Sequence, residues 1–280
     1  MLRSFLDKIS IAIQEPDLLN DLDDKKLLIF IGSARTGSTL LGQVLNYHPE
    51  CLISNESGLI SNVVIKGASL REELKKVLAS AMDMYRTGLE SNKKFGETIE
   101  RYQSQWIQFG DLSKDPDFSK KDIKVIGDKK AGGSTKAYLE RPGEVISFLL
   151  SHPNVWLLQI IRDPVDAAVS YMKSHGVEPF EKACNEMINL THAAHDLGKK
   201  VTNPYYFMYY EDLVESPREE ITKILEWLNI DYSSSWLEKI SQKIQQKEPS
   251  ERPREFHLTA NNLIRKNHAV EELGRYLIEF

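Results

Sequence analysis

LLIFIGSARTGSTLLGQVLNYHP, residues 27–49, decides how the rest of the chain is read. It opens on an unbroken apolar run, which suits a strand buried on both faces of a parallel sheet. From Leu40 the apolar residues Leu40, Leu41, Val44 and Leu45 fall at helical spacing, so the pattern predicts strand, glycine-containing turn, helix. Against the phosphate-binding pattern G-x-x-x-x-G-K-[ST], Gly32, Gly37 and Thr39 occupy their places, but Ser38 stands where the lysine belongs. In a triphosphate site that lysine spans the β- and γ-phosphates, and the closing Ser/Thr holds magnesium against them. Without the lysine the turn suits a lone phosphate. Backbone N–H groups and the hydroxyls of Thr36, Ser38 and Thr39 surround it at a helix N-terminus, and Arg35 supplies the cation.

Working outward, further short apolar runs each precede a helical pattern: KVIGDK (124–129), NVWLLQIIRDP (154–164) and PYYFMYYEDL (204–213). Their recurrence predicts an α/β, P-loop-like three-layer fold, with a central parallel sheet of buried strands flanked by helices. Asp163-Pro164 sets a helix N-cap and a first-turn proline after the strand ending at Ile161, and Ser216-Pro217-Arg218-Glu219 has the form of a capping box. Residues 60–120 read as helices such as LREELKKVLASAMDMY without a strand, hence a helical insertion over the sheet in a single domain spanning 1–280.

The chain has 280 residues, 41% hydrophobic and 28% charged, as expected of a globular protein. A net charge of −5 gives no reason to expect a nucleic-acid partner, which needs a basic face. Cys51 and Cys184 have no metal-ligand or disulfide-scaffold spacing, so no metal is expected. The opening MLRSFLDKISIAIQEPDLLNDLDDKK mixes charged and apolar residues, which predicts an amphipathic helix, no membrane span and a cytoplasmic setting.

The turn Ala34-Arg35-Thr36-Gly37-Ser38-Thr39 resembles the phosphosulfate loop of the PAPS-dependent sulfotransferases, departing by alanine for proline and threonine for serine. The resemblance implies 3′-phosphoadenosine 5′-phosphosulfate (PAPS) as donor and PAP as product, and it explains the missing lysine. IIRDPVDAAVSYMKS is similar to the family's 3′-phosphate element, with Arg162 and Ser170 in the binding places. The stretch YYEDLVESPREEITKILEWLNI implies a nucleotide contact from Tyr210, with Tyr209 the alternative. IRKNHAVEELGRYLIEF looks like the closing segment of the tyrosylprotein-type and related bacterial branches, where Lys266, or else Arg265, would meet a donor phosphate.

Sulfuryl transfer to a hydroxyl needs the acceptor proton removed and the moving negative charge stabilised, and it does not require a metal. In those same branches a glutamate after a His-Pro-Glu/Asp stretch is the general base. HPECLISNESGLI offers Glu56, 56 − 35 = 21 positions beyond the loop arginine. Lys129 in IGDKKAGGST resembles the family's Asp-Lys and would donate to the sulfuryl group or bridging oxygen, with Lys130 adjacent; Arg35 would share that task. His175 is the second candidate base, His48 is expected to end the first helix through its ring, and His192 and His195, one turn apart, lack a third metal ligand. An aromatic stripe of Tyr102, Trp106 and Phe109 belongs to the insertion, which is expected to contribute to the site of a small-molecule or saccharide hydroxyl acceptor. The rival readings are a P-loop nucleotide kinase or NTPase, opposed by Ser38, and a non-catalytic nucleotide-binding module.

Overall fold

The computed structural model describes residues 24–87, 112–244 and 251–278. The expected N-terminal amphipathic helix and the aromatic stripe at 102–109 fall outside them. From the N-terminal side, β1 (Lys26–Ile31), α1 (Ser38–Asn46) and β2 (Cys51–Asn55) are followed by a π-helical turn (Ser61–Ile65) and α2 (Leu70–Thr87). Two short 3-10 turns lead to β3 (Val125–Lys129), α3 (Ala131–Glu140), α4 (Pro142–Ser151), β4 (Val155–Ile161), α5 (Pro164–His175) and α6 (Phe180–Lys200). The described chain closes with β5 (Tyr205–Tyr209), α7 (Tyr210–Glu215), α8 (Pro217–Trp227), α9 (Ser234–Ser241), α10 (Arg254–Lys266) and α11 (Val270–Leu273).

The strands form one parallel sheet in the order β2-β3-β1-β4-β5. Side chains alternate across it, so β1 serves two cores at once. Leu28 and Phe30 pack with Val44, Leu45, Ile224 and Trp236 on one face, while Leu27, Ile29 and Ile31 meet Leu78, Val145 and Leu197 on the other. Burial on both faces is why LLIFI carries no polar residue. The fifth strand departs from the buried strand expected there: β5 is an edge, and Phe207 is 38% exposed.

The helix expected from residue 70 is α2, whose Leu74, Val77, Leu78 and Ala81 are buried at helical spacing in the same core as Leu52 of β2. Asp163 caps α5 as expected, its Oδ1 accepting the Val165 N–H at 2.8 Å. The capping box at 216 does not form: Ser216 also closes α7, giving its N–H to Asp212, and its side chain takes no cap bond. Nor does the His48 ring end α1. It lies edge-on to Trp236 with ring centroids 4.7 Å apart, and its Nδ1 accepts the Glu50 N–H. The Asn46 carbonyl goes instead to Lys120, a buried lysine donating also to His48 O at 2.9 Å and Cys51 O at 2.6 Å. Burial pushes that ammonium down to about 7.

All five strands point their carboxyl ends the same way, and β1 lies between β3 and β4. The sequential path crosses over there, leaving a crevice beyond the strand ends.

Candidate active site

Beyond β1 the chain makes the turn 32–37. Its first N–H, from Gly32, donates to Thr135 Oγ1 of α3 at 2.8 Å. The Thr36 hydroxyl donates inward to Ser33 O at 3.3 Å and is buried, so that hydroxyl braces the turn and does not face the crevice. Arg35 and Gly37 have φ of 67° and 91°, left-handed values that gather successive N–H groups into a concave nest. α1 starts at Ser38 with no side-chain cap, so the orphan N–H groups of its first turn have no side-chain acceptor. Ser38 is buried and Thr39 half-buried. Gly37 is required twice over, since a Cβ there would come within 2.3 Å of the Tyr210 ring.

Beyond β4, Arg162 reaches back to this turn. Its Nη1 donates to Arg35 O at 3.3 Å and its Nη2 to Asp166 Oδ2 at 3.4 Å, while its Nε–H is buried with no partner among the described residues. The guanidinium lies over the Tyr210 ring, 4.6 Å from its centroid. Burial raises the Tyr210 phenol, and the neighbouring Arg162 charge opposes the rise. Arg35 Nε donates to Ser170 Oγ at 3.0 Å, joining the loop to α5. Arg35, Gly37, Arg162, Ser170 and Tyr210 are thereby brought together. Tyr209 turns elsewhere: its hydroxyl meets Glu272 O and its ring carries Arg275. Lys266 and Arg265 are exposed in the last turn of α10, and neither is linked to the loop among the described residues.

Beyond β2 and β3 the third arm forms. Asn55 pairs with Lys129 in register, and the Glu56 N–H donates to Lys129 O at 2.9 Å. Lys129 Nζ meets Glu56 Oε1 at 2.5 Å; the lysine side chain is 5% exposed and the glutamate 44%, so the carboxylate is the part open to solvent. The lysine stem lies against α1, where a Cβ at Gly42 would be 3.1 Å from Lys129 Cγ. Lys130 is half-buried and folds over Gly58 and Gly133.

His175 ends α5, roughly 7.5 Å along the helix beyond Ser170. Its ring stacks on Tyr171 and its Nδ1 meets Ser174 Oγ. His192 pairs with Glu272 and His195 with Tyr205; no group of three metal-ligating side chains occurs among the described residues.

Two residues of this site were not singled out in the sequence. Asp166 binds Arg162 through one oxygen and, through the other, Arg252 Nε at 2.8 Å. The spacing of Arg162 and Asp166 at i, i+4 was a usable signal. Arg252 had none, because its approach to the crevice is made by tertiary folding alone.

A parallel sheet with a nest of N–H groups after its central strand, and cationic side chains at two further strand ends, has a P-loop-like α/β architecture. The chain belongs to the sulfotransferase family, whose model matches residues 28–234, about three quarters of its length. It is therefore an enzyme of sulfuryl transfer. Similar solved structures include sulfotransferase STF9 from Mycobacterium avium, 14% identical, with a TM-score of 0.50 over 97% of this chain and 82% of that one. The sulfotransferase domain of the Synechococcus PCC 7002 olefin synthase is 18% identical, with a TM-score of 0.49 over 87% of this chain and 94% of that one. Mouse sulfotransferase SULT7A1, solved with PAP, is 14% identical, with a TM-score of 0.45 over 96% of this chain and 94% of that one. At 14% identity the likeness to STF9 speaks for the fold alone. No helix of the described residues is long and apolar enough to cross a membrane.

Proposed function

We propose that this enzyme moves the sulfuryl group of PAPS to a hydroxyl of a small molecule or saccharide, by in-line transfer with Glu56 as general base and no metal. One observation carries the reading: two segments more than a hundred residues apart close on one another through the Arg35–Ser170 and Arg162–Arg35 hydrogen bonds. Their convergence sets two guanidinium groups and a hydroxyl beside an uncapped helix N-terminus, a site matched to a nucleotide with separate 5′- and 3′-phosphates. The buried Arg162 Nε–H, without a partner among the described residues, is a donor that a phosphate oxygen would satisfy.

In this reading the nest at 35–39 holds the 5′-phosphate, with the N–H groups and the Ser38 and Thr39 hydroxyls as donors. Thr36 keeps the loop in shape. Arg162 and Ser170 hold the 3′-phosphate, Tyr210 lies along the nucleotide, and Lys266 closes on a donor phosphate from the C-terminal side. The acceptor oxygen forms its bond to sulfur as the bond from sulfur to the bridging phosphate oxygen breaks, and the electron pair leaves with PAP. Glu56 takes the acceptor proton. Lys129 and Arg35 stabilise the negative charge passing through the SO₃ group and onto the leaving oxygen. Chain 1–280 acts as one domain, and the segment 60–120, whose α2 packs against β2 just before Glu56, borders the acceptor.

The test is turnover of labelled PAPS against a panel of 2-naphthol, N-acetylglucosamine and aliphatic alcohols, with thermal shifts by PAP and by ATP with magnesium. Glu56→Gln is expected to lower turnover on the order of a hundredfold or more while PAP binding holds. Arg35→Ala is expected to lower both. A larger shift with ATP and magnesium than with PAP would overturn the donor, and a fully active Glu56→Gln enzyme would overturn the base.

A further inference from the structure

The turn that carries Glu56 is held by a residue with no role in the chemistry above. Asp128, one position before Lys129, is 1% exposed and accepts four hydrogen bonds. Its Oδ1 takes Ser54 Oγ and the Ser57 N–H, each at 3.0 Å; its Oδ2 takes the N–H groups of Gly58 at 2.7 Å and Leu59 at 2.8 Å. The donors flank Glu56 on both sides. A fifth bond, from the Glu56 N–H to Lys129 O, ties the centre of the turn to the same strand exit, and Ser57 Oγ donates to Ser54 Oγ at 2.9 Å.

Glu56 itself has φ of 61°, a left-handed conformation that a side chain other than glycine adopts at a cost and keeps only where its surroundings fix it. Four donors converging on two oxygens are met only by a carboxylate. An asparagine would place an amide NH₂ against backbone N–H groups and leave some of them unpaired. Burial pushes the Asp128 carboxyl up, and its four donors oppose that.

We infer that Asp128 is a positioning residue for the transfer reaction: its carboxylate locks the turn 54–59 so that the Glu56 side chain meets Lys129 and faces the acceptor side of the crevice. The inference rests on the reading of Glu56 as base. It separates placing the base from binding the donor, since no bond joins Asp128 to the loop 32–37, to Arg162 or to Ser170 among the described residues. Because misplacing a reacting group by about 1 Å costs on the order of a hundredfold in rate, Asp128→Asn is expected to lower kcat by about that factor. Its affinity for PAP should stay within about twofold of wild type, as expected when remote sites do not couple.

Wild type, Asp128→Asn, Ser54→Ala and Glu56→Gln are compared for kcat with the fastest acceptor of the panel, or for PAPS hydrolysis by water if none reacts. PAP affinity is measured for each by calorimetry. Ser54→Ala removes one of the four donors and serves if Asp128→Asn fails to fold; a kcat reduced several-fold, with PAP affinity kept, is the expected result. Wild-type kcat in either folded variant overturns the inference, as does a parallel loss of kcat and PAP affinity, which marks general damage to the fold. If Glu56→Gln is fully active the base reading falls first. If Glu56→Gln is impaired while Asp128→Asn matches wild type, only the assignment of Asp128 falls.

Discussion

Gly37 offers a quantitative test of how the donor loop is built, because two separable costs attach to one added methyl group. In Gly37→Ala the residue must hold φ of 91°, and the new Cβ would lie 2.3 Å from the Tyr210 ring. The left-handed backbone costs an L-residue about 1–2 kcal/mol. Forcing a methyl group into an occupied position adds about 1–3 kcal/mol as the ring or loop gives way. Gly37→Ala is therefore expected to destabilise the protein by about 2–5 kcal/mol. In a Tyr210→Ala background the obstruction is gone and only the backbone cost of about 1–2 kcal/mol remains. The assay is urea unfolding of the four proteins of this cycle, with the slope against urea checked for constancy so that midpoints report stability. A coupling of about 1–3 kcal/mol, with the alanine better tolerated when the ring is absent, is expected. Equal cost in both backgrounds, within about 0.5 kcal/mol, would refute the packing of Tyr210 on the loop and with it that tyrosine's place beside the phosphate site.

Two further predictions concern neighbouring groups. Asp166→Asn weakens the hold on Arg162 and Arg252, so affinity for PAP should fall by about tenfold while affinity for AMP, lacking the 3′-phosphate, stays near wild type; equal losses for both would count against it. His48 is held down at about 3 by burial first and by the Lys120 charge next. Because its folded value lies below its unfolded value of about 6.5, its contribution is fully present above pH 6.5 and is lost as pH falls through that window toward the folded value. At about pH 4.5 the loss should be about 2–3 kcal/mol relative to His48→Gln, read from urea midpoints; parallel pH profiles would refute it.

What could be read from the sequence was what neighbours in sequence decide. The turn after β1, the helix after it and the Asp163 cap all depend on residues a few positions apart, and so do the strand ends that carry Arg162 and Lys129. Glu56 was singled out through a resemblance, and its contact with Lys129 depends on β2 lying beside β3, which no local pattern states. Asp128 passed unnoticed for the same reason, since four donors over residues 54–59 become its partners only when the sheet forms. Lys120 carries no local signal, because only folding brings its ammonium, and not the His48 ring, to the Asn46 carbonyl at the end of α1. The capping box at 216 fails because two helices share one residue, and the aromatic residues of β5 read as a buried strand although one side of it has no strand neighbour among the described residues.

The bond from Gly32 to Thr135 has an architectural consequence. It rivets the turn after β1 to the helix that springs directly from the strand carrying Lys129, so that turn and the exit of β3 share one chassis. The helix α2 packs on β2, apart from that bond. The spacing between the turn after β1 and the exit of β3 is therefore set by the sheet and α3, with no part played by α2.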